Sequence, residues 1–144
     1  MRVNKALVVV VDADAIIAQM NPNDIHHKKA SAISQYLIEN SAQVIYPVTA
    51  VVEATTHIQR VLGSTASAYG IAVLMSGIDA LVAEVNKQTM TMAIEYFGPK
   101  TSKKNTLFDC IVAAVAREHG ADAIFSFDKF YTKKGFKLVE DFAW

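Results

Sequence analysis

The residues of this chain that are best suited to chemistry are four carboxylic acids, each placed beside apolar sequence. Asp12 and Asp128 each end an apolar run, whereas Glu53 and Asp109 lie early in segments with helical spacing. The segment that carries Asp109 is apolar nearly all round, which is typical of a buried helix. A carboxylate is costly to bury unless a cation or strong hydrogen-bond donors compensate it. These residues therefore indicate a site that takes up positive charge.

Short apolar segments alternate with helical segments along the chain. The predicted strands cover residues 6–11, 44–46, 78–85, 123–127 and 136–139. The helix that carries Asp109 is predicted over residues 106–119, with Asn105 as its N-cap and Gly120 after its end. The alternation predicts an α/β fold: one three-layer domain, residues 1–144, whose central sheet of about five mostly parallel strands is flanked by helices.

This topology predicts where the acidic residues meet. In such sheets, ligands bind beyond the carboxyl ends of the strands. Asp12 and Asp128 lie at the carboxyl ends of two predicted strands, and the helices that carry Glu53 and Asp109 begin at that same edge. We therefore expect the four carboxylates to lie at one rim of the sheet.

Carboxylates gathered at one rim repel one another unless a cation lies between them. Ligands that are all oxygen favour Mg²⁺ or Mn²⁺. Such a site lowers the pKa of a bound water and stabilises charge on a phosphate. The expected chemistry is hydrolysis of a phosphodiester bond by water, without a protein nucleophile.

The composition limits the classes of protein to which the chain can belong. The 144 residues are 52% hydrophobic and carry no net charge, so any attraction of nucleic acid must come from a local basic patch. One cysteine cannot form a disulfide within the chain, which fits a reducing cytoplasm. The apolar run that Asp12 ends is too short for a signal peptide, and no segment is long enough to span a membrane.

The acidic motifs also resemble a known family. They are the segment 9–17 around Asp12, Glu53 early in a helix, the segment 107–114 around Asp109, and the segment 124–128 that ends in Asp128. In order and spacing they resemble the PIN-domain ribonucleases over essentially the whole chain, and the length is similar to that of VapC-type toxins of toxin–antitoxin pairs.

The resemblance implies that Asp12, Asp109 and Asp128 hold Mg²⁺ or Mn²⁺ for RNA cleavage, and that Glu53 ligates through water or orients the attacking water. Ser126 fills the position where a Thr or Ser usually helps hold the site. Asp14 departs from the family pattern, in which Ser, Thr or Asn is commoner. It could act as a fifth carboxylate ligand, or it could cap a helix that starts at Ala15.

RNA must still be attracted to an acidic pocket. Basic residues flank the acidic motifs and are predicted to contact phosphates next to the scissile one: Lys100, Lys103, Lys104, Lys129, Lys133 and Lys134, with Arg60 on the helix of Glu53.

The resemblance to VapC-type toxins implies a homodimer and a small antitoxin, and a partner that inserts a basic side chain among Asp12, Asp109 and Asp128 could displace the metal. The apolar residues of segment 50–75 give independent support for an interface between chains.

Two other functions fit parts of the sequence. The motif Asp12-Ala13-Asp14 after an apolar strand also matches a haloacid-dehalogenase-type phosphatase, in which Asp12 would be the nucleophile. Thr49 and Lys104 would then have to supply the remaining phosphate contacts, and Glu53 and Asp109 would have no role. The second alternative is a catalytically inactive PIN-like module that binds RNA or protein.

Overall fold

A four-stranded parallel sheet forms the centre of the computed structural model, which describes residues 5–142. The strands are β1 (Val8–Val11), β2 (Gln43–Pro47), β3 (Leu81–Ala83) and β4 (Ala123–Phe125), in the order β3-β2-β1-β4. β1 pairs with strands on both sides: Val9 lies opposite Val44 of β2 and Ala123 of β4. An unbroken run of β-branched residues suits a strand that is covered on both faces.

Helices pack on both faces of this sheet. They are α1 (Ala13–Met20), α2 (His27–Glu39), α3 (Val48–Arg60), α4 (Thr65–Met75), α5 (Lys87–Ala93), α6 (Leu107–Glu118) and α7 (Phe130–Lys133), and a 3₁₀ turn follows over Val139–Asp141. Within residues 5–142, none of them has the length and hydropathy that a membrane crossing requires.

Successive residues of β1 point to opposite faces and divide the core into two halves. Val9 and Val11 pack in a cluster with apolar residues of α1 to α4. Val10 packs in the other cluster, with the apolar face of α6 and with Tyr131 of α7. The predicted three-layer α/β architecture is therefore confirmed.

The prediction of about five strands is wrong for the described part of the chain, where the sheet has four. The segment 136–139 makes one isolated bridge, between Leu138 and Ile124, and then turns into the 3₁₀ helix. Leu138 and Val139 are both fully buried, so the apolar run that resembled a strand is used for packing.

Asn105 is not the N-cap of α6, as the sequence had predicted. That position belongs to Thr106, which forms a capping box with Asp109: the Thr106 backbone N–H donates to Oδ2 of Asp109 at 3.1 Å. The carboxylate that was expected in the site therefore also stabilises the start of its own helix.

Candidate functional site

A cavity of about 270 Å³ opens at the carboxyl edge of the sheet, and its walls contain all four predicted carboxylates. We call it the acidic cavity. Its lining residues are Asp12, Ala13, Asp14, Ile17, Glu53, His57, Lys104, Thr106, Asp109 and Asp128. The convergence expected from the topology is therefore present in the structure, and Asp14 belongs to the same group.

Asp12 is held rigidly where β1 ends and α1 begins. Its backbone N–H donates to the Phe125 carbonyl at 3.0 Å, which ties it to the end of β4. Its Oδ1 accepts from the Ala13 N–H at 2.7 Å, so Asp12 is the N-cap of α1. Its Oδ2 accepts from the Tyr131 hydroxyl at 2.7 Å and lies 3.2 Å from Oγ of Ser126. Both carboxylate oxygens of this buried residue therefore have donors.

Asp14 lies inside α1, one residue after its start, so its alternative role as the N-cap of a helix starting at Ala15 is wrong. Its Oδ2 accepts from Oγ of Ser126 at 2.9 Å and from the Phe127 N–H at 2.8 Å. Its Oδ1 is buried and has no hydrogen-bond partner among residues 5–142. An unpaired buried carboxylate oxygen is costly and needs a compensating group.

Ser126 connects three of the carboxylates. Its Oγ faces Asp12 and Asp14, and it accepts from the Asp128 backbone N–H at 3.1 Å. A hydroxyl carries one proton, so it can donate to only one of the two aspartates at a time. Ser126 is fully buried, and this places the predicted supporting residue at the centre of the cluster.

Asn105 joins the last two carboxylates. Its Nδ2 donates to Oδ2 of Asp128 at 2.8 Å and, more weakly, to Oδ2 of Asp109 at 3.4 Å. Oδ1 of Asp128 accepts from the Phe130 N–H at 2.9 Å, in the turn that follows β4. The amide side chain therefore bridges α6 and the loop after β4.

Glu53 enters the acidic cavity from the second turn of α3 and is half-buried. His57 lies one helical turn further along and lines the same cavity. Because residues i and i+4 of a helix share a face, the imidazole lies on the same side of the cavity as the Glu53 carboxylate.

The environment of the cluster favours protonated carboxyl groups. Burial, followed by the charge of Asp109, raises the pKa of Glu53 to about 7, and burial raises the pKa of Asp14 to about 6. Burial and the charges of Asp14 and Asp109 raise the pKa of Asp12 well above its usual range. Burial also raises the pKa of Asp109. The described side chains do not place enough positive charge beside these carboxylates to offset their burial and their mutual repulsion.

The positions of the side chains do not by themselves define a metal centre. Within residues 5–142, no group of three or more His, Cys, Asp or Glu side chains is arranged to hold a metal ion. Asp12 is held by hydrogen bonds from Ala13 and Tyr131, whereas the Glu53 side chain makes no hydrogen bond within the described part of the chain.

The predicted basic residues do not all line the same cavity. Lys104 lines the acidic cavity. A second cavity of about 640 Å³, which we call the basic cavity, is lined by Lys100, Thr101, Ser102, Lys104, Asn105, Phe127, Asp128, Lys129, Phe130, Lys133 and Lys134. Lys103 lines a third cavity, beside Phe97 and Pro99. Arg60 is exposed at the end of α3 and lines neither the acidic nor the basic cavity.

Sequence reasoning missed Tyr131 and Asn105 as parts of the site. Tyr131 is fully buried, and its hydroxyl reaches Asp12. Asn105 was assigned a capping role, and its amide instead bridges Asp109 and Asp128. The only available indication was that both residues lie within four positions of a predicted carboxylate.

The geometry gives little support to a phosphatase with Asp12 as nucleophile. Glu53 and Asp109, which would have no role in such a phosphatase, line the same cavity as Asp12. Thr49, the proposed phosphate contact, has a buried hydroxyl with no partner within residues 5–142 and does not line the acidic cavity.

Solved structures with the same fold include two bacterial proteins. VapC20 from Mycobacterium tuberculosis, described as a sarcin–ricin loop cleaving toxin, has a TM-score of 0.74 at 21% identity, over 89% of this chain and 95% of that one. FitAcB from Neisseria gonorrhoeae has a TM-score of 0.63 at 13% identity, over 90% of this chain and 95% of that one. At these identities the similarity concerns the fold. No curated protein matches the sequence.

The sequence itself matches the profile described as "PIN domain" over residues 9–137, which is most of the chain. The match spans all four carboxylates of the acidic cavity, from Asp12 to Asp128. The family expected from the acidic motifs is thereby confirmed, and the chain belongs to the PIN domain family.

Proposed function

We propose that this protein is a metal-dependent endoribonuclease that cleaves RNA phosphodiester bonds with water. The observation that carries the proposal is the acidic cavity, in which carboxylates from four separate segments meet. The pKa values of Asp12, Asp14, Glu53 and Asp109 are raised there. Membership of the PIN domain family supports the same chemistry.

The residues present fit a hard divalent cation such as Mg²⁺ or Mn²⁺. The acidic donors are carboxylate oxygens, the ligand type that these ions prefer. The buried Oδ1 of Asp14 has no partner within residues 5–142, and an ion would provide one. Burial and, after it, the charges of neighbouring carboxylates raise the pKa values of Asp12 and Glu53, and a bound cation would offset both effects.

In this mechanism Asp12, Asp109 and Asp128 would hold the cation, and Asp14 would add a further carboxylate beside them. When bound, the cation lowers the pKa of water and neutralises charge on the phosphate. Glu53, which enters the acidic cavity from α3, would bind the cation through water or orient the attacking water. Tyr131 and Ser126 keep Asp12 in place through hydrogen bonds.

The biological role that we propose is that of a VapC-type toxin. The support is the fold shared with VapC20, which is described as a toxin that cleaves the sarcin–ricin loop. A toxin of this kind requires restraint, and a small antitoxin with a basic side chain could neutralise the carboxylates by entering the acidic cavity.

We also propose a homodimer, formed through α3 and α4. Of the apolar residues in this part of the chain, Ile58 and Ile71 are buried in the core. Val73 and Leu74, adjacent near the end of α4, are 54% and 65% exposed, and Val61, which follows α3, is 68% exposed. Exposed apolar groups that are clustered in this way usually mark an interface.

The proposed activity is tested by incubating purified protein with total RNA in Mn²⁺ or in EDTA. We expect cleavage products with Mn²⁺ and none with EDTA. Turnover of p-nitrophenyl phosphate without RNA cleavage would instead favour the phosphatase. RNA binding without cleavage in any divalent metal would favour the inactive module.

A further inference from the structure

The acidic cavity and the basic cavity share a wall. Lys104 and Asp128 line both cavities, and Asn105 in the basic cavity donates to Asp128 at 2.8 Å. A ligand that reaches the carboxylates can therefore continue directly into the basic cavity. The two cavities together form one continuous surface at the carboxyl edge of the sheet.

The lysines of the basic cavity differ in how far they are neutralised. Nζ of Lys129 lies 2.8 Å from Oε1 of Glu140, which also pairs with Lys29. Lys100, Lys133 and Lys134 are exposed and form no ion pair within residues 5–142. The charges of these three lysines therefore remain available to an anion. Lys103 and Arg60 do not line this cavity.

Aromatic side chains lie among these cations. Phe127 and Phe130 both line the basic cavity, and Nζ of Lys134 lies 5.6 Å from the centre of the Phe130 ring. The Phe127 ring stacks on His26 at 4.3 Å between ring centres, which holds it at a fixed angle. Phe130 is only 7% exposed, so of these two rings Phe127 is the one that a base can reach. A groove that combines cations with an accessible aromatic ring suits a single strand of nucleic acid.

The other side of the acidic cavity is different. Its walls there are formed by Ile17, Glu53 and His57, with no lysine among them. The positive charge available to a bound strand is therefore concentrated on one side of the carboxylates.

We propose that the basic cavity binds single-stranded RNA on one side of the scissile phosphate, with Lys100, Lys133 and Lys134 at consecutive phosphates. This proposal rests on the proposed ribonuclease function and specifies how its substrate is held. A single strand is favoured because Asp12 is only 3% exposed, so the backbone must bend into the acidic cavity to reach it.

The test measures binding of a fluorescein-labelled single-stranded oligouridylate to the full chain in EDTA, over a range of KCl concentrations. Each lost phosphate contact lowers the slope of log K against log salt by about 0.7 for single strands. Replacing Lys100, Lys133 and Lys134 together by Gln should lower the slope by about 2. The matched control is Lys87→Gln, because Lys87 is exposed and lines neither cavity.

The proposal is overturned if the triple variant keeps the slope of the wild type while its thermal unfolding is unchanged. It is also overturned if a hairpin duplex competes as well as the oligouridylate. In either case cleavage by the wild type in Mn²⁺ would leave the ribonuclease function standing. Conversely, a lowered slope without any cleavage by the wild type would reject the ribonuclease and keep the RNA site.

Discussion

The hydroxyl of Tyr131 donates a hydrogen bond of 2.7 Å to Oδ2 of Asp12, across 119 positions of the chain. Both residues are buried, and burial together with the charge of Asp12 raises the pKa of the phenol well above its usual range. The phenol therefore remains a donor at every pH of interest, and it orients the carboxylate on which the site is built.

Tyr131→Phe should lower the free energy of unfolding by about 1–3 kcal/mol, because a buried carboxylate loses one of its donors. It should also lower the rate of cleavage more than the affinity for RNA, since the loss affects the acidic cavity and leaves the lysines in place. Chemical denaturation and single-turnover cleavage measure the two effects. Tyr69→Phe is the control, because Tyr69 is 72% exposed. Equal behaviour of the two variants would show that the hydrogen bond has no role.

Asp14→Asn should weaken Mn²⁺ binding at least tenfold, since the loss of an outer-sphere partner alone typically costs about 10–100-fold. Asn retains an oxygen that can accept from Ser126 and from the Phe127 N–H, so the hydrogen bonds of Oδ2 persist. Asp79→Asn, on the exposed surface, controls for the loss of charge. An unchanged Mn²⁺ affinity would restrict Asp14 to a structural role.

The stability of the metal-free protein should fall as the pH rises from 4.5 to about 7. The pKa of Glu53 is raised from 4.5 to about 7, so within this window the folded state binds the proton more tightly than the unfolded state does. Stability is therefore greatest below the unfolded value and is lost as the pH approaches the folded value. Asp14, whose pKa is raised from 3.8 to about 6, contributes with the same sign.

This pH dependence is measured by denaturant unfolding in EDTA. Glu53→Gln should flatten the curve, and Mn²⁺ should stabilise the wild type most at the high end of the window, where its ligands are deprotonated. A stability that rises over the same pH window in EDTA would contradict the assignment of these carboxyl groups.

The wild type should sediment as a dimer at micromolar concentrations, and Leu74→Lys should shift it to the monomer. A lysine at an apolar interface leaves a charge without a partner. Ile38→Lys is the control, because Ile38 is 70% exposed and belongs to α2, outside the proposed interface helices α3 and α4. A monomeric wild type would remove the basis for the proposed interface.

The sequence predicted the acidic cavity better than it predicted the groups that support it. Asp12 and Asp109 could be identified because each interrupts an apolar segment, and the parallel topology then required them to meet. Tyr131 could not, because a buried tyrosine and a site tyrosine have the same sequence neighbours until its partner in space is known. The role of Asn105 depends on the residue at which α6 begins, which sequence fixes only to within one or two positions. Because Thr106 is the N-cap, Asn105 lies before the helix and its amide bridges Asp109 and Asp128.

The fifth strand illustrates a different limit. Leu138 and Val139 have the β-branched and apolar character of a strand, but a strand also needs a partner along its whole length. In this segment Leu138 pairs with Ile124 in one isolated bridge, and the chain then turns into the 3₁₀ helix. Pairing of this kind depends on tertiary contacts that local sequence does not contain.

The central claim is that carboxylates from separate segments form one site for a divalent cation. Calorimetric titration of Mn²⁺ into the metal-free wild type and into Asp109→Asn tests it most directly. Asn retains the oxygen that accepts from the Thr106 N–H, so the start of α6 should be preserved. We predict saturable binding to the wild type and at least a tenfold loss of affinity in the folded variant, together with loss of RNA cleavage. Equal Mn²⁺ affinity of the two proteins, or no binding to the wild type, would contradict the claim.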